Sequence, residues 1–194
     1  MRATDQAVGR HRRDDVRVIA FSPKEFILHA DEAMRIYTQA MGYSAQTGVQ
    51  RAITARRHAS NAGFACRVAE DQDGTLLGFG YGYTTQPGQW WHDLVQRALS
   101  AADYDWLVNA FELSEMHVMP AAQGLGLGRQ ILKTLSTDIT HQSILLSTPD
   151  SDTRAFRLYR NMGFLDLARN YLFPGDSRPF AVLGARLPLL EKTN

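Results

Sequence analysis

The stretch Gln123-Gly124-Leu125-Gly126-Leu127-Gly128-Arg129 places glycine at every second position. It lies between a run that reads as a strand and one that reads as a helix. Glycines at such a junction let backbone N–H groups converge on one point without side-chain obstruction. The helix that follows adds its own free N–H groups and the positive end of its dipole. The chemistry implied is binding of phosphate or pyrophosphate. Two familiar phosphate motifs do not fit. A dinucleotide fingerprint needs glycine where Arg129 stands, and a Walker loop needs Gly-Lys-Ser/Thr, whereas Lys133-Thr134 follows Leu132.

Titratable groups cluster just upstream, where Glu112, Glu115 and His117 share one predicted strand. Glu112 and Glu115 fall on opposite strand faces unless a bulge intervenes. A glutamate is a feeble base unless burial raises its pKa. His117 has a suitable pKa for a base, though a lone histidine in a strand is more often structural. The single cysteine, Cys66, and the methionines read as core filling.

Positioning these groups requires a scaffold, and the pattern supplies one. Residues 16–21 read as a strand, and Ser22-Pro23 with Glu25 form a capping box for a helix ended by Gly42. A weakly patterned helix over about 48–60 follows. Strands at 64–69 and 75–84 flank the turn Asp71–Gly74. In the second of them Gly78, Gly80 and Gly82 alternate with Phe79, Tyr81 and Tyr83, so one face is aromatic and the other bare. Close packing of a helix is the favoured reason for the bare face, and approach of a ligand is the other. Further on come a strand at about 110–119, helices at about 126–137 and 152–162 (the latter capped by Asp152), a short strand at 144–146, and strands at about 164–173 and 180–187. The expected fold is α/β: a mixed central sheet of about seven strands flanked by about four helices, with an extra helical insertion before the fourth strand. Residues 1–14 read as a flexible lead-in and 15–194 as one domain.

The glycine turn fits R/Q-x-x-G-x-G/A, and here the sequence resembles the GNAT superfamily of N-acyltransferases. The strand Phe111–Pro120 resembles the family's strand before that loop. Asp152-Thr-Arg-Ala155-Phe-Arg-Leu158-Tyr159-Arg-Asn-Met-Gly163-Phe164 resembles its N-x-x-A-x-x-L-Y-x-x-x-G-F segment. Asp152 departs from the family's usual asparagine; a capping role survives that change. The order of elements agrees over roughly 16–187.

The resemblance implies acetyl transfer from acetyl-CoA to a primary amine by direct attack on the thioester. It implies main-chain contacts to the cofactor from Met116, His117, Val118 and Met119. It also implies a pyrophosphate site at Gln123, Gly124, Leu125, Gly126, Leu127, Gly128 and Arg129, with Asp152 nearby. Tyr159 matches the family's proton donor; a phenol stays protonated at neutral pH and can hand a proton to a leaving thiolate. Glu112 lies where some members keep a catalytic glutamate, acting through water, with Glu115 or His117 as other candidates. An acyl-CoA sensor without turnover is the alternative, and an unrelated nucleotide-binding protein a more distant one.

The insertion, residues 85–109, carries Trp90, Trp91, Tyr104 and Trp106. It reads as a wall of the acceptor pocket, with Trp90, Trp91 and Tyr83 touching substrate, or as a cluster holding the inserted helix; the two are compatible. The loop 174–179 borders the same pocket. The composition excludes other classes. With 21 Lys+Arg against 20 Asp+Glu the net charge is +1, so nucleic acid is not the expected partner. No apolar run spans a membrane and the start lacks a signal-peptide core, so a cytoplasmic protein is expected. No metal is expected, and the oligomeric state reads as monomer or homodimer, with the final strands open to pairing.

Overall fold

In the computed structural model, which describes residues 15–189, the chain forms β1 (Arg17–Phe21), α1 (Pro23–Met41), α2 (Ala45–His58), β2 (Ala65–Glu70), β3 (Leu76–Thr84), α3 (Trp90–Ala98), β4 (Ala110–Val118), α4 (Leu127–Asp138), β5 (Ser143–Pro149), α5 (Arg154–Asn161), β6 (Leu165–Tyr171) and β7 (Phe180–Arg186). The expected lead-in over 1–14 lies outside the described residues.

The helix ends follow local chemistry. Ser22 accepts from the Glu25 amide while the Glu25 carboxylate accepts from the Ser22 amide at 2.7 Å, and Gly42 closes α1 at φ +69°. Ser44 caps α2. The cap of α5 is Thr153, which accepts from the Phe156 amide, and not Asp152 as the sequence suggested. Asp152 stands outside the helix and pairs with Arg157 at 2.7 Å.

The strands make one sheet in the order β1-β2-β3-β4-β5-β7-β6, antiparallel except where β4 meets β5. β7 is therefore internal, and β6 is the exposed edge of the final hairpin. Register shifts along β6 blunt that edge for strand pairing.

The two faces of β3 separate the layers. On the aromatic face Tyr81 meets Phe26 of α1 at 4.7 Å between ring centroids, within a core that includes Ala52 and Ala55 of α2. Each fully buried large apolar side chain of this kind contributes about 1.5–3 kcal/mol. On the glycine face α4 presses close. A Cβ at Gly80 would lie 2.9 Å from Ile131, and one at Gly78 would lie 3.2 Å from it. Helix packing thus accounts for the bare face. Gly82 has a different reason: a Cβ there would meet the Glu112 carbonyl oxygen and the Phe111 ring.

Candidate active site

β4 and β5 are paired only from Ala110–Glu112 to Ser143–Leu145. Beyond Glu112 they diverge, and a cleft of about 1230 Å³ opens between them. α1 and α2 wall one side, α5 and the β6–β7 loop the other, and the glycine turn closes one end. Of the predicted site residues, Tyr83, Trp90, Trp91, Glu112, Glu115, Met116, His117, Val118, Gln123, Gly124, Gly126, Leu127, Gly128, Arg129 and Tyr159 all line it. Met119 and Leu125 instead pack on the apolar cores beside it.

β4 carries a bulge between the two carboxylates. Tyr81 pairs with Glu115 and Gly82 with Leu113, so Ser114 is the extra residue and Glu112 and Glu115 share a face. Their environments then push them apart. Glu112 is 4% exposed; Tyr83 donates its hydroxyl to Oε1 at 3.1 Å, and Oε2 is buried with no partner among the described residues. Burial pushes its pKa up to about 7, against weaker opposing effects of Tyr83 and Arg51. Glu115 is equally buried, which disfavours its charge, yet Arg51 and His117 more than compensate and hold it down at about 2. Arg51 Nε donates to Glu115 Oε1 at 2.5 Å, and His117 Nε2 reaches Oε2 at 2.6 Å.

Arg51 and His58, both from α2, are site residues that sequence reasoning missed. His58 Nδ1 lies 3.2 Å from the Tyr81 hydroxyl and 3.4 Å from Ser114 Oγ. Burial and then Arg51 lower its pKa to about 4. Tyr37 of α1 stacks edge-on against His117, and burial with Glu115 nearby pushes its phenol up to about 12. None of these residues had a local signal, because their partners lie far away in the chain.

On the opposite wall Tyr159 is buried against Phe164, and its hydroxyl has no hydrogen bond to a described residue. Burial first, and Glu115 second, raise its pKa, so the phenol keeps its proton.

The glycine turn divides its glycines between two tasks. Gly124 and Gly126 have φ of +88° and +82°, and a Cβ at either would meet nothing within 4 Å. A Cβ at Gly128 would come 3.2 Å from Leu158, so that glycine lets α4 approach α5. α1, α2 and α5 carry side-chain caps, whereas α4, like α3, begins with none; its N-cap is Gly126. Its first amides are therefore open to an anion, and the turn leaves room for one. The adjoining strand also offers polar backbone. Met119 N–H donates to Leu77 O at 2.8 Å, so the ladder's alternation turns the main-chain groups of Met116 and Val118 across the cleft, and those of His117 toward β3. Gln123 Nε2 already donates to the Val118 carbonyl at 3.1 Å. These features fit a pyrophosphate with an extended polar arm.

The insertion packs as a cluster and also lines the cleft. Trp91, Leu94 and Val95 of α3, with Leu99 just past its end, form a core with Leu145, Phe173 and Val182. Trp90 stays 62% exposed at the cleft, 5.9 Å from Phe173. Trp106 turns away to stack under Arg186. Pro174, Gly175, Asp176 and Arg178 of the loop 174–179 line the cleft.

Known proteins resemble this chain in sequence and in fold. The sequence profile of the Acetyltransferase (GNAT) family matches residues 30–164. A GCN5-like protein acetyltransferase of Mycobacterium tuberculosis is 36% identical over 202 residues, covering 89% of this chain and 98% of that protein. A GNAT-family structure from Desulfovibrio desulfuricans superimposes with a TM-score of 0.63 at 15% identity, covering 88% of this chain and 98% of its own. A Salmonella typhimurium structure solved with its cofactor acetyl-CoA gives a TM-score of 0.59 at 14% identity, covering 92% and 98%. At those identities the two structures speak for the fold. No helix among the described residues is long and apolar enough to cross a membrane.

Proposed function

We propose, from the premise that this chain belongs to the GNAT acetyltransferase family, that it moves the acetyl group of acetyl-CoA to a primary amine carried by a peptide or protein. Acetyl transfer is the family's chemistry. The M. tuberculosis relative, a protein acetyltransferase by name, supports the choice of acceptor class. The observation that carries the mechanism is the pairing of unlike groups across the β4–β5 opening. A buried carboxyl poised near neutrality faces the cleft from one wall, and a protonated phenol faces it from another.

Acetyl-CoA would supply an activated thioester. The amides of Gly124 to Arg129 hold its pyrophosphate, and the main chains of Met116 and Val118 bond its arm. Glu112 Oε2, directly or through water, takes a proton from the acceptor ammonium, which makes the amine nucleophilic. A pKa near 7 suits that task at neutral pH. Tyr159 would give its hydroxyl proton to the departing sulfur, and the second proton that the amine loses on forming the amide would return to the phenolate, so that one proton is released per turnover. Glu115, held as an anion by Arg51, is a positioning group in this reading: it ties α2 and His117 to the bulge. Trp90, Trp91 and Tyr83 face the apolar part of the acceptor. The catalytic unit runs from residue 15 onward with 85–109 as an insertion, and a lone buried cysteine, Cys66, suits a reducing cytoplasm.

A thermal-shift titration with acetyl-CoA, CoA and ATP tests the donor. Acetyl-CoA at 100 times its dissociation constant should stabilise the fold by about 2.7 kcal/mol. Preference for ATP, or no shift with either CoA species, would refute the reading. A shift without thiol release on lysine-containing peptides would favour a sensor.

A further inference from the structure

We propose that Arg57, at the cleft end of α2, selects acceptor lysines that have an acidic residue beside them in the chain. The proposal rests on the reading of the cleft as a site for peptide or protein amines.

The Asp, Glu and Arg side chains lining the cleft are accounted for with one exception. Arg51 is paired with Glu115 inside the site, and Arg178 with Asp176 at 2.6 Å on the β6–β7 loop. Arg129 and Arg154 stand at the pyrophosphate end, where Arg154 Nη1 donates to Gln123 Oε1 at 3.5 Å. Glu112 is buried beneath the Tyr83 hydroxyl. Arg57 remains. It is exposed, lines the cleft from the last turn of α2, and donates only from Nη2 to Thr54 Oγ1 at 3.4 Å; it has no carboxylate partner among the described residues. The neighbouring Arg56, by contrast, is held by Asp31 at 2.7 Å.

The end of α2 borders the reacting groups. The His58 ring meets Tyr83 at 5.0 Å between centroids, and Tyr83 donates to Glu112. The Arg57 charge is felt there, since it disfavours an imidazolium at His58 after burial and Arg51. Asn61, four residues on, also lines the cleft, and its amide makes no hydrogen bond with a described residue. A guanidinium and an amide N–H₂ are donors in need of an acceptor, and a carboxylate accepts from both. An acceptor lysine that reaches down to Glu112 leaves its main chain across the rim where Arg57 stands. An extended chain advances about 3.3 Å per residue, so the residues beside that lysine come within reach of a long arginine. A basic residue there would meet like charge, with no unpaired exposed carboxylate on the cleft wall to offset it. The facing wall, Trp90 and Phe173, carries no charge. An arginine that merely solvates a helix end would be indifferent to the charge of the acceptor.

Three peptides that share one lysine, flanked on both sides by glutamate, alanine or lysine, test this in steady-state thiol release. Each protein is compared across the peptides, so any loss of folded enzyme cancels in the ratio. Wild type should use the glutamate-flanked peptide with a kcat/KM about five- to tenfold above that of the lysine-flanked one, the range expected when an exposed charge contact turns from attraction to repulsion. The preference should shrink in about 0.5 M salt, which screens exposed charges. Arg57→Gln should flatten the series, and Arg57→Glu should reverse its order. Equal use of the three peptides by wild type, or an unchanged preference in Arg57→Glu, would overturn the selection while leaving acetyl transfer to lysine intact. A wild type that releases no thiol with any of the three would overturn the peptide-acceptor reading, and the selection with it.

Discussion

Replacing Glu112 by glutamine should stabilise the protein more at pH 8 than at pH 5. Burial raises this carboxyl from an ordinary 4.5 to about 7 in the folded state. Between those values the folded protein holds a proton that the unfolded chain has lost. Wild-type stability is therefore fully present below pH 4.5 and declines as pH rises through about 7. A difference of about 2.5 in pKa corresponds to about 3 kcal/mol at about 1.4 kcal/mol per unit, most of it lost between pH 5 and pH 8. Glutamine keeps an oxygen for the Tyr83 hydroxyl and has no charge to bury, so the variant lacks this decline. Glu115 at about 2 and His58 at about 4 titrate below this window. Urea denaturation of both proteins at pH 5 and pH 8 reads the effect as a pH-dependent gap between their unfolding free energies. The same variant should lose the rising limb of kcat/KM, which in wild type should climb with a single inflection near pH 7. A stability gap that is equal at both pH values would refute the burial argument and with it the basis for a base poised at neutrality.

Four other perturbations separate the parts of the site. Tyr159→Phe should reduce kcat by about 100-fold or more while the acetyl-CoA thermal shift persists; unchanged turnover would remove the phenol from the chemistry. Arg51→Met leaves Glu115 buried with His117 beside it but without its guanidinium, and should cost up to about 3–5 kcal/mol in chemical denaturation, with much of the loss recovered when Glu115→Gln is added. Gly126→Ala and Gly88→Ala both force alanine to a φ above +80° in open space, at a cost of about 1–2 kcal/mol each. Only the former should weaken acetyl-CoA binding in calorimetry. Trp90→Ala should hardly move the melting temperature, because the side chain is 62% exposed, but should raise the acceptor KM without changing acetyl-CoA affinity.

The scaffold was legible where local chemistry decides it. The Ser22 box, the Gly42 stop and the alternating β3 strand carry their own instructions, and the structure obeys them. Helix α2 was blurred because it buries only Gly48, Ala52 and Ala55, while Val49 and Ile53 face outward. A small-residue face has little hydrophobic contrast to read. The cap of α5 was misread by one position because Asp152 and Thr153 are both good caps, and only packing chooses between them. In the candidate site, the glycine turn and Tyr159 were visible as motifs. The bulge at Ser114 was not, although it decides which carboxylates share a face; nothing local distinguishes a bulged strand from a regular one here. Arg51 was invisible for a related reason. Its partner Glu115 lies 64 residues away, and a charge written on a weak helix shows no sign of where the fold will bring it.

Acetyl transfer at the opening between β4 and β5, with Glu112 proposed as base and Tyr159 as acid, should be read by following thiol release from acetyl-CoA with a lysine peptide, and acetylation of that peptide by mass spectrometry, for wild type, Glu112→Gln and Tyr159→Phe side by side. Wild type should gain one acetyl group per thiol released, and each variant should show a large fall in kcat with acetyl-CoA affinity retained. Stoichiometric transfer that survives unchanged in both variants would remove Glu112 and Tyr159 from the chemistry.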